Sequence, residues 1–324
     1  MTLPLAQPSP RRRSVHIGLI ALGVVCGAGV ATQSRVNGQL GSAISDGFAA
    51  AVISFGSGLI IILIALIFLP NGRRGLGLAL GAVRRGDIPF WYLLGGAGGA
   101  FLVLSQGLVA ATLGVALFSV GIVAGQTIGG TLVDRRGLGS MPARALTVQR
   151  IVGSVLALVA VIVAASTQIS ATVPVWMLVL PLVAGLLQSL QQAVNGQVRA
   201  VSESVATATL TNFIVGTTVL LIAFAIHSSI VGWPTKLPSE PWLYIGGAIG
   251  VIFIAVSAAI VRAIGVLLLS LATIAGQLVT SLLLDVLAPT SREGITLTTV
   301  LGTTLTLVAV VVAAVPSRAK KTTN

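Results

Sequence analysis

The chain has 324 residues, of which 55% are hydrophobic and 8% charged, and its mean hydropathy is +1.04. Ordinary soluble domains carry about 25% charged residues, so this composition excludes a soluble globular enzyme and marks an integral membrane protein. The net charge of +12 comes from basic residues spread between apolar runs rather than gathered on one face, which argues against nucleic acid as a partner.

Arg11-Arg12-Arg13 precede the first apolar run. Nine further runs follow it and it is longer than the core of a leader peptide, so it reads as a first membrane helix. Each run is about 20 residues, the length a helix needs to cross a hydrocarbon layer of about 30 Å. The predicted spans are Ile17 to Asn37, Phe48 to Leu69, Phe90 to Ala111, Gly114 to Val133 and Leu146 to Ser166, then Val175 to Gly196, Ala206 to His227, Trp242 to Val261, Ile264 to Leu284 and Thr296 to Val315. They are apolar on every face, unlike the alternating strands of a barrel. The lone Cys26 lies inside the first span and permits no intramolecular disulfide.

The second half echoes the first. Gln33-Ser-Arg-Val-Asn37-Gly38-Gln39-Leu40 returns 158 positions later as Gln191-Gln-Ala-Val-Asn195-Gly196-Gln197-Val198. Ala124-Gly125-Gln126, followed by Asp134, returns as Ala275-Gly276-Gln277, followed by Asp285, at an offset of 151, which Gly95-Gly96-Ala97 and Gly246-Gly247-Ala248 share. Leu158-Val-Ala-Val161 matches Leu307-Val-Ala-Val310. Four matches in the same order identify an internal duplication.

The expected fold is therefore all-α and membrane-integral, with ten transmembrane helices in two repeats of five. A tail over 1–16 leads to the first repeat at 17–166, a linker at 167–174, the second repeat at 175–315 and a tail at 316–324. With the N-terminus in the cytoplasm, Arg35, Lys236 and Arg292 are the only ones of the 19 Lys and Arg residues to fall on the outer side. The positive-inside rule then places both termini in the cytoplasm. Five is odd, so the second repeat is inverted, an arrangement that secondary transporters use to open one site to either side in turn.

No charged side chain falls near the middle of a predicted span, which argues against a mid-membrane carboxylate that exchanges cations and protons. The polar groups within the spans are mostly amides: Gln33, Asn37, Gln106, Gln126, Gln188, Gln191, Gln192, Asn195, Asn212 and Gln277, with Asn37 and Asn195 near span ends and Gln126 and Gln277 nearer mid-membrane. Gln33 with Asn37, and Gln191 with Asn195, are four residues apart and share a helix face. Such amides either hold helices together or line a polar path, and their recurrence in both halves favours the path. Gln33, Asn37, Gln126, Gln191, Asn195, Asn212 and Gln277 are the candidate substrate-binding residues.

The Asn-Gly step at Gly38 and Gly196 is expected to end each helix with a left-handed glycine cap. Gly121, Gly125 and Gly129 form a stripe for close helix packing. Asp134 and Asp285 recur at span ends, where interfacial solvation is the default and protonatable coupling the sharper hypothesis. Arg35 and Arg262 read as snorkelling anchors, and Trp91, Trp176, Trp233 and Trp242 as interfacial belts. His16 and His227 cannot form a His-Glu-x-x-His site and no phosphate-binding Gly-Lys-Ser/Thr loop exists. An enzyme, a metal and a cofactor are therefore not expected.

The doubled Gln-x-x-x-Asn-Gly-x-Leu/Val segment, continued by Ser54-Phe55-Gly56-Ser57-Gly58 and Asn212-Phe213-Ile214-Val215-Gly216, resembles the YdcZ-like branch of the drug/metabolite transporter superfamily. The resemblance runs from about Ile17 to Val315. It implies an inner-membrane exporter of small molecules, with most helices around a central cavity and the fifth helix of each half at the periphery. The small multidrug-resistance branch uses a Glu in its first helix. This chain has none there, which counts against proton-coupled export of drug cations. The reading is a secondary-active exporter of a small metabolite or drug-like molecule, working by alternating access in the lipid bilayer and compatible with a homodimer. The alternative is a non-transporting scaffold or partner subunit.

Overall fold

In hydrocarbon every backbone N–H and C=O must be satisfied within the protein, and the apolar runs meet that demand as helices. The computed structural model describes residues 10–137, 147–166, 174–264, 266–288 and 296–314, and among them there is no strand. Arg144, Arg292, Arg318, Lys320 and Lys321 of the charge argument lie outside these residues, as do residues 167–173 of the linker and the C-terminal tail.

Helix α1 (Pro10–Ile44) turns through Ser45, at φ 59°, into α2 (Gly47–Phe68). Asp46 caps α2, its Oδ1 accepting from the N–H groups of Phe48 and Ala49 at 2.8 and 3.0 Å. A short amphipathic helix, α3 (Pro70–Arg85), follows; it starts on a proline and ends on Gly86 at φ 80°, the expected start and stop chemistry. The next rod is composite: a 3-10 turn Phe90–Gly95, α4 (Gly96–Ser105), a π-helical turn Gln106–Ala110 and α5 (Ala111–Leu113). Gly114, at φ 79°, then starts α6 (Val115–Arg136). Thr147 caps α7 (Val148–Ala165).

Helix α8 (Val175–Ser202) turns through Glu203, at φ 52°, and the Ser204 cap into α9 (Val205–Val231). The 3-10 turn Pro241–Tyr244, α10 (Gly246–Ile264), α11 (Val266–Leu287) and α12 (Leu297–Ala314) complete the chain. Among the described residues, seven segments are long and apolar enough to cross a membrane by length and composition: 17–44 of α1, α2, 90–113, α6, α7, α8 and α9. Shorter apolar stretches run through Gly246–Val256, Leu271–Leu287 and Leu297–Ala313.

Packing crosses the midpoint of the chain. Helix α1 lies against α10 and α11, α8 against α4 and α6, α2 against α9, and α7 against α12. Glycines set the closest crossings. A Cβ on Gly27 would strike the Thr273 carbonyl and one on Gly276 the Val24 carbonyl; likewise Gly125 meets Leu182 and Gly185 meets Ile122. The two crossings use glycines at the offsets of the sequence echoes, and small residues there let backbones touch. Gly121 and Gly129 also face α8, at Pro181 and Leu186, so the stripe on α6 is a packing surface. The most enclosed helix is α6, whose Phe118, Leu117, Ile122 and Val123 are fully buried.

The Asn-Gly step does not end a helix. Helix α1 continues to Ile44 and α8 to Ser202, and the left-handed residues are Ser45 and Glu203. The physical reason is local: ending at Gly38 would release carbonyls into a region where Gly38 is buried against Ala110 and Ala111, with no water to receive them.

Candidate functional site

At one end of the bundle, on α1, the amides are hydrogen-bonded, although Asn37 Oδ1 makes no hydrogen bond. Gln33 Nε2 donates to the Gly246 carbonyl at 2.8 Å. Asn37 Nδ2 donates to Gln106 Oε1 at 2.7 Å, Gln106 Nε2 to Ser34 Oγ at 3.0 Å, and the Ser34 hydroxyl to the Val30 carbonyl at 3.0 Å. Asn37, Gln106 and Ser34 are wholly buried. Gln106 opens the π-helical turn, whose wider pitch re-aims a side chain locally. Backbones touch beside it: a Cβ on Gly41 would strike Gly107, and one on Gly38 would lie 2.9 Å from the Ala111 nitrogen.

The matching residues on α8 are open. Gln191 and Asn195 are partly exposed and Gly196 is exposed. Among the described residues nothing lies within 4 Å of where a Gly196 Cβ would sit. The amides have the same neighbours as their mates: Asn195 Oδ1 lies by Gly95 as Asn37 Oδ1 lies by Gly246, and Gln191 Nε2 lies by Gly99 as Gln33 Nε2 lies by Gly250. One turn further along α8, a cavity of ≈ 200 Å³ is lined by Gly196, Arg199, Ala200 and Glu203.

Between the two ends, Phe55 of α2 and Phe213 of α9 meet with ring centroids 5.1 Å apart. Each ring edge occupies the space over the other helix's glycine, Gly216 or Gly58. One residue before each ring stand Ser54 and Asn212, both 2% exposed, whose Oγ and Nδ2 make no hydrogen bond. Gln126 Nε2 donates to Gln188 Oε1, and Ser189 Oγ donates to the Gln126 carbonyl at 3.0 Å. Gln277 is 1% exposed with Nε2 unbonded; the position that corresponds to Gln188 is Val30, which offers no side-chain acceptor. A buried polar atom left without a partner costs about 1–3 kcal/mol, so each of these atoms calls for an explanation.

Interfacial solvation does not describe Asp285, which is 5% exposed. Its Oδ2 accepts from the Ala116 N–H at 2.7 Å, at the first turn of α6. Arg35 is more than a snorkelling anchor, since its Nη1 donates to the Leu284 carbonyl at 2.9 Å. Asp134 is part-exposed, with Arg150 Nη1 at 2.8 Å. Among the described residues no group of His, Cys, Asp and Glu could hold a metal ion.

Two features were not singled out from the sequence. Gln106 appeared only in the list of amides, and its role depends on the π-helical turn, for which no residue pattern is diagnostic. Helix α3 falls between two predicted spans and is not among the predicted elements, although Pro70, Gly86 and the small residues Gly72, Gly75, Ala79 and Ala82 spaced three and four apart carry its signal.

The doubled amide motif and the crossings that surround it run through residues 18–163 and 176–312, which match the model of the family described as "Putative inner membrane exporter, YdcZ", of the drug/metabolite transporter type. The chain belongs to the YdcZ family. Family membership and the apolar helices together make it a multi-pass membrane protein of the inner-membrane exporter type. None of the curated proteins matches the chain in sequence. One solved crystal structure of a protein superposes with a TM-score of 0.52 at 15% identity, covering 93% of this YdcZ-family chain and 96% of its own. At that identity the likeness concerns the fold alone.

Proposed function

We propose that the chain is a secondary-active exporter that moves a small molecule across the cytoplasmic membrane by alternating access of two inverted five-helix halves, 17–166 and 175–315. In this reading all ten apolar segments span the bilayer, both termini are cytoplasmic, and Gln33, Asn37, Gln126, Gln191, Asn195, Asn212 and Gln277 line the path. The observation that carries it is the contrast between mates: Gln33, Asn37 and Gly38 are buried while Gln191, Asn195 and Gly196 are not. Two copies of one motif, one sealed and one open, are what an inverted repeat caught in one of its two states presents.

The charge bias puts the Asn37 end outside and the Asn195 end in the cytoplasm, so this state is closed outside and open inside, the state in which an exporter loads. Glycine crossings that recur at the repeat offsets support the inverted relation of the halves. Unbonded amide and hydroxyl groups at Ser54, Asn212 and Gln277 suit an uncharged or zwitterionic polar substrate better than a lipophilic cation.

The test uses single cysteines, Gly38→Cys and Gly196→Cys, in a Cys26→Ala background, labelled with an impermeant maleimide from each side of the membrane. Gly196→Cys is expected to label from the cytoplasm and Gly38→Cys from outside, each slowly protected as the other opens. A scaffold would show one fixed accessibility. Comparing extracellular metabolites between cells making the intact protein and the Gln33→Ala/Asn195→Ala variant names the substrate class. Asp134 and Asp285 are the candidates for coupling to a pH gradient; dependence that survives both Asn substitutions would remove them.

A further inference from the structure

The first turn of any helix presents N–H groups with no partner inside the helix and a partial positive charge. At the start of α6 that need is met by a distant residue, Asp285, whose Oδ2 takes the Ala116 N–H at 2.7 Å. Beside it Arg35 holds the Leu284 carbonyl at 2.9 Å. Two contacts thus tie the end of α11 to the start of α6 and to α1, at the sealed end of the bundle.

The duplication gives each partner a mate. Asp285 corresponds to Asp134, and Ala116 to Leu267, at the shared offset of 151; the helix starts read Gly114-Val-Ala-Leu-Phe-Ser119 and Gly265-Val-Leu-Leu-Leu-Ser270. None of the other acidic residues has an acidic mate at the repeat offsets. At the open end, however, Asp134 stands against Arg150 on α7. Their 2.8 Å approach lacks hydrogen-bond geometry, since Arg150 Nη1 has no hydrogen-bond partner, and Asp134 keeps 39% of its side chain exposed. One carboxylate is seated on the opposite half's helix start, and its mate rests on a neighbour.

We propose that Asp285 and Asp134 are alternating latches: Asp285 caps α6 when the Asn37 end is closed, and Asp134 leaves Arg150 to cap the start of α11 when the Asn195 end closes. This rests on the alternating-access reading, and it adds what holds each state. A carboxylate is suited to the role because it accepts from a positively polarised helix start yet can be released to water or an arginine at the membrane surface. Arg35 serves only the Asn37 end, because its mate is Ala193, so the two closed states are held unequally and the inward-open one is favoured.

The test pairs cysteines in the Cys26→Ala protein in native membranes: Asp285→Cys with Ala116→Cys, and Asp134→Cys with Leu267→Cys. Both pairs are expected to form disulfides under mild oxidation. Locking the first should protect Gly38→Cys from outside label, and locking the second should protect Gly196→Cys from inside label. Without cross-links, Asp285→Ala should raise outward labelling about fivefold, the effect of losing one helix cap, and Asp134→Ala should lower it.

The Asp134→Ala arm keeps the proposal testable if Asp285→Ala fails to fold. If Gly38→Cys labels from outside while the second pair never cross-links and Asp134→Ala changes nothing, the latch is wrong and alternating access stands. If Gly38→Cys never labels, both readings fall.

Discussion

The Asn37 end and the Asn195 end are built from one motif set against equivalent glycines, and they differ in how far that motif is enclosed and hydrogen-bonded. On α1 the Gln, Asn and Gly are buried, hydrogen-bonded to Gly246 and Gln106, and covered by the π-helical turn. On α8 the same residues are part-exposed, and Gly196 has none of Gly38's close contacts. The helical conformation is the same at both ends, so propensity does not decide which is shut. The difference lies in the cover: Gln106 and the π-helical turn pack on Asn37 and Gly38, whereas among the described residues nothing lies within 4 Å of where a Gly196 Cβ would sit. The comparison teaches that one motif on one helical backbone can be enclosed or open according to what packs over it, and under the alternating-access proposal that cover is what moves.

The largest expected effect tests what the ends share. Gly125→Leu or Gly276→Leu would drive a side chain into the facing backbone at Leu182 or Val24; overpacking of this kind costs about 3 kcal/mol. Loss of monodisperse protein after detergent extraction is expected, and normal yield would mean the crossings are looser than drawn. Next comes the contrast itself. Gly38→Leu should destabilise by about 1–3 kcal/mol, read as a drop in melting temperature. Gly196→Leu should leave the melting temperature alone but block closure, so that transport is lost at full abundance. Equal melting shifts in the two would erase the comparison.

A smaller difference is expected from the amides. Asn37→Ala strands Gln106 Oε1 in a buried site and should cost about 1–3 kcal/mol, whereas Asn195→Ala should cost under about 0.5 kcal/mol, as surface changes do. Thermal denaturation in one detergent measures both. The smallest effect belongs to the exposed Arg85–Asp87 pair at 2.8 Å: Arg85→Ala should shift stability by less than about 0.5 kcal/mol, and a larger shift would show that α3 depends on its charges rather than on its small-residue face.

Much of the architecture was legible because membrane insertion constrains sequence strongly. The apolar runs appear as helices, Gln33, Asn37 and Gln126 as hydrogen-bonded amides, and the glycine stripe on α6 as a packing surface. The left-handed cap expected at Gly38 failed because soluble helix-ending rules assume water for the freed carbonyls; the exposed Gly196 has no such constraint, and the structure gives no reason for α8 continuing past it to Ser202. Burial of Asp285 was not legible either, since span-end position says nothing of a partner 169 residues away. Least legible was the inequality of the two ends: both copies read alike, and a difference in conformation leaves no mark in residues they share.

Because α1 rests on α10 and α11 while α8 rests on α4 and α6, each half of the polypeptide completes its packing on the other. Each lends its first helix to the other, as in an exchanged dimer whose subunits have been joined into one gene product. A chain severed between Ser166 and Pro174 would give two fragments that are unstable when made singly and recover together when made in the same membrane, with the covalent join contributing proximity rather than shape.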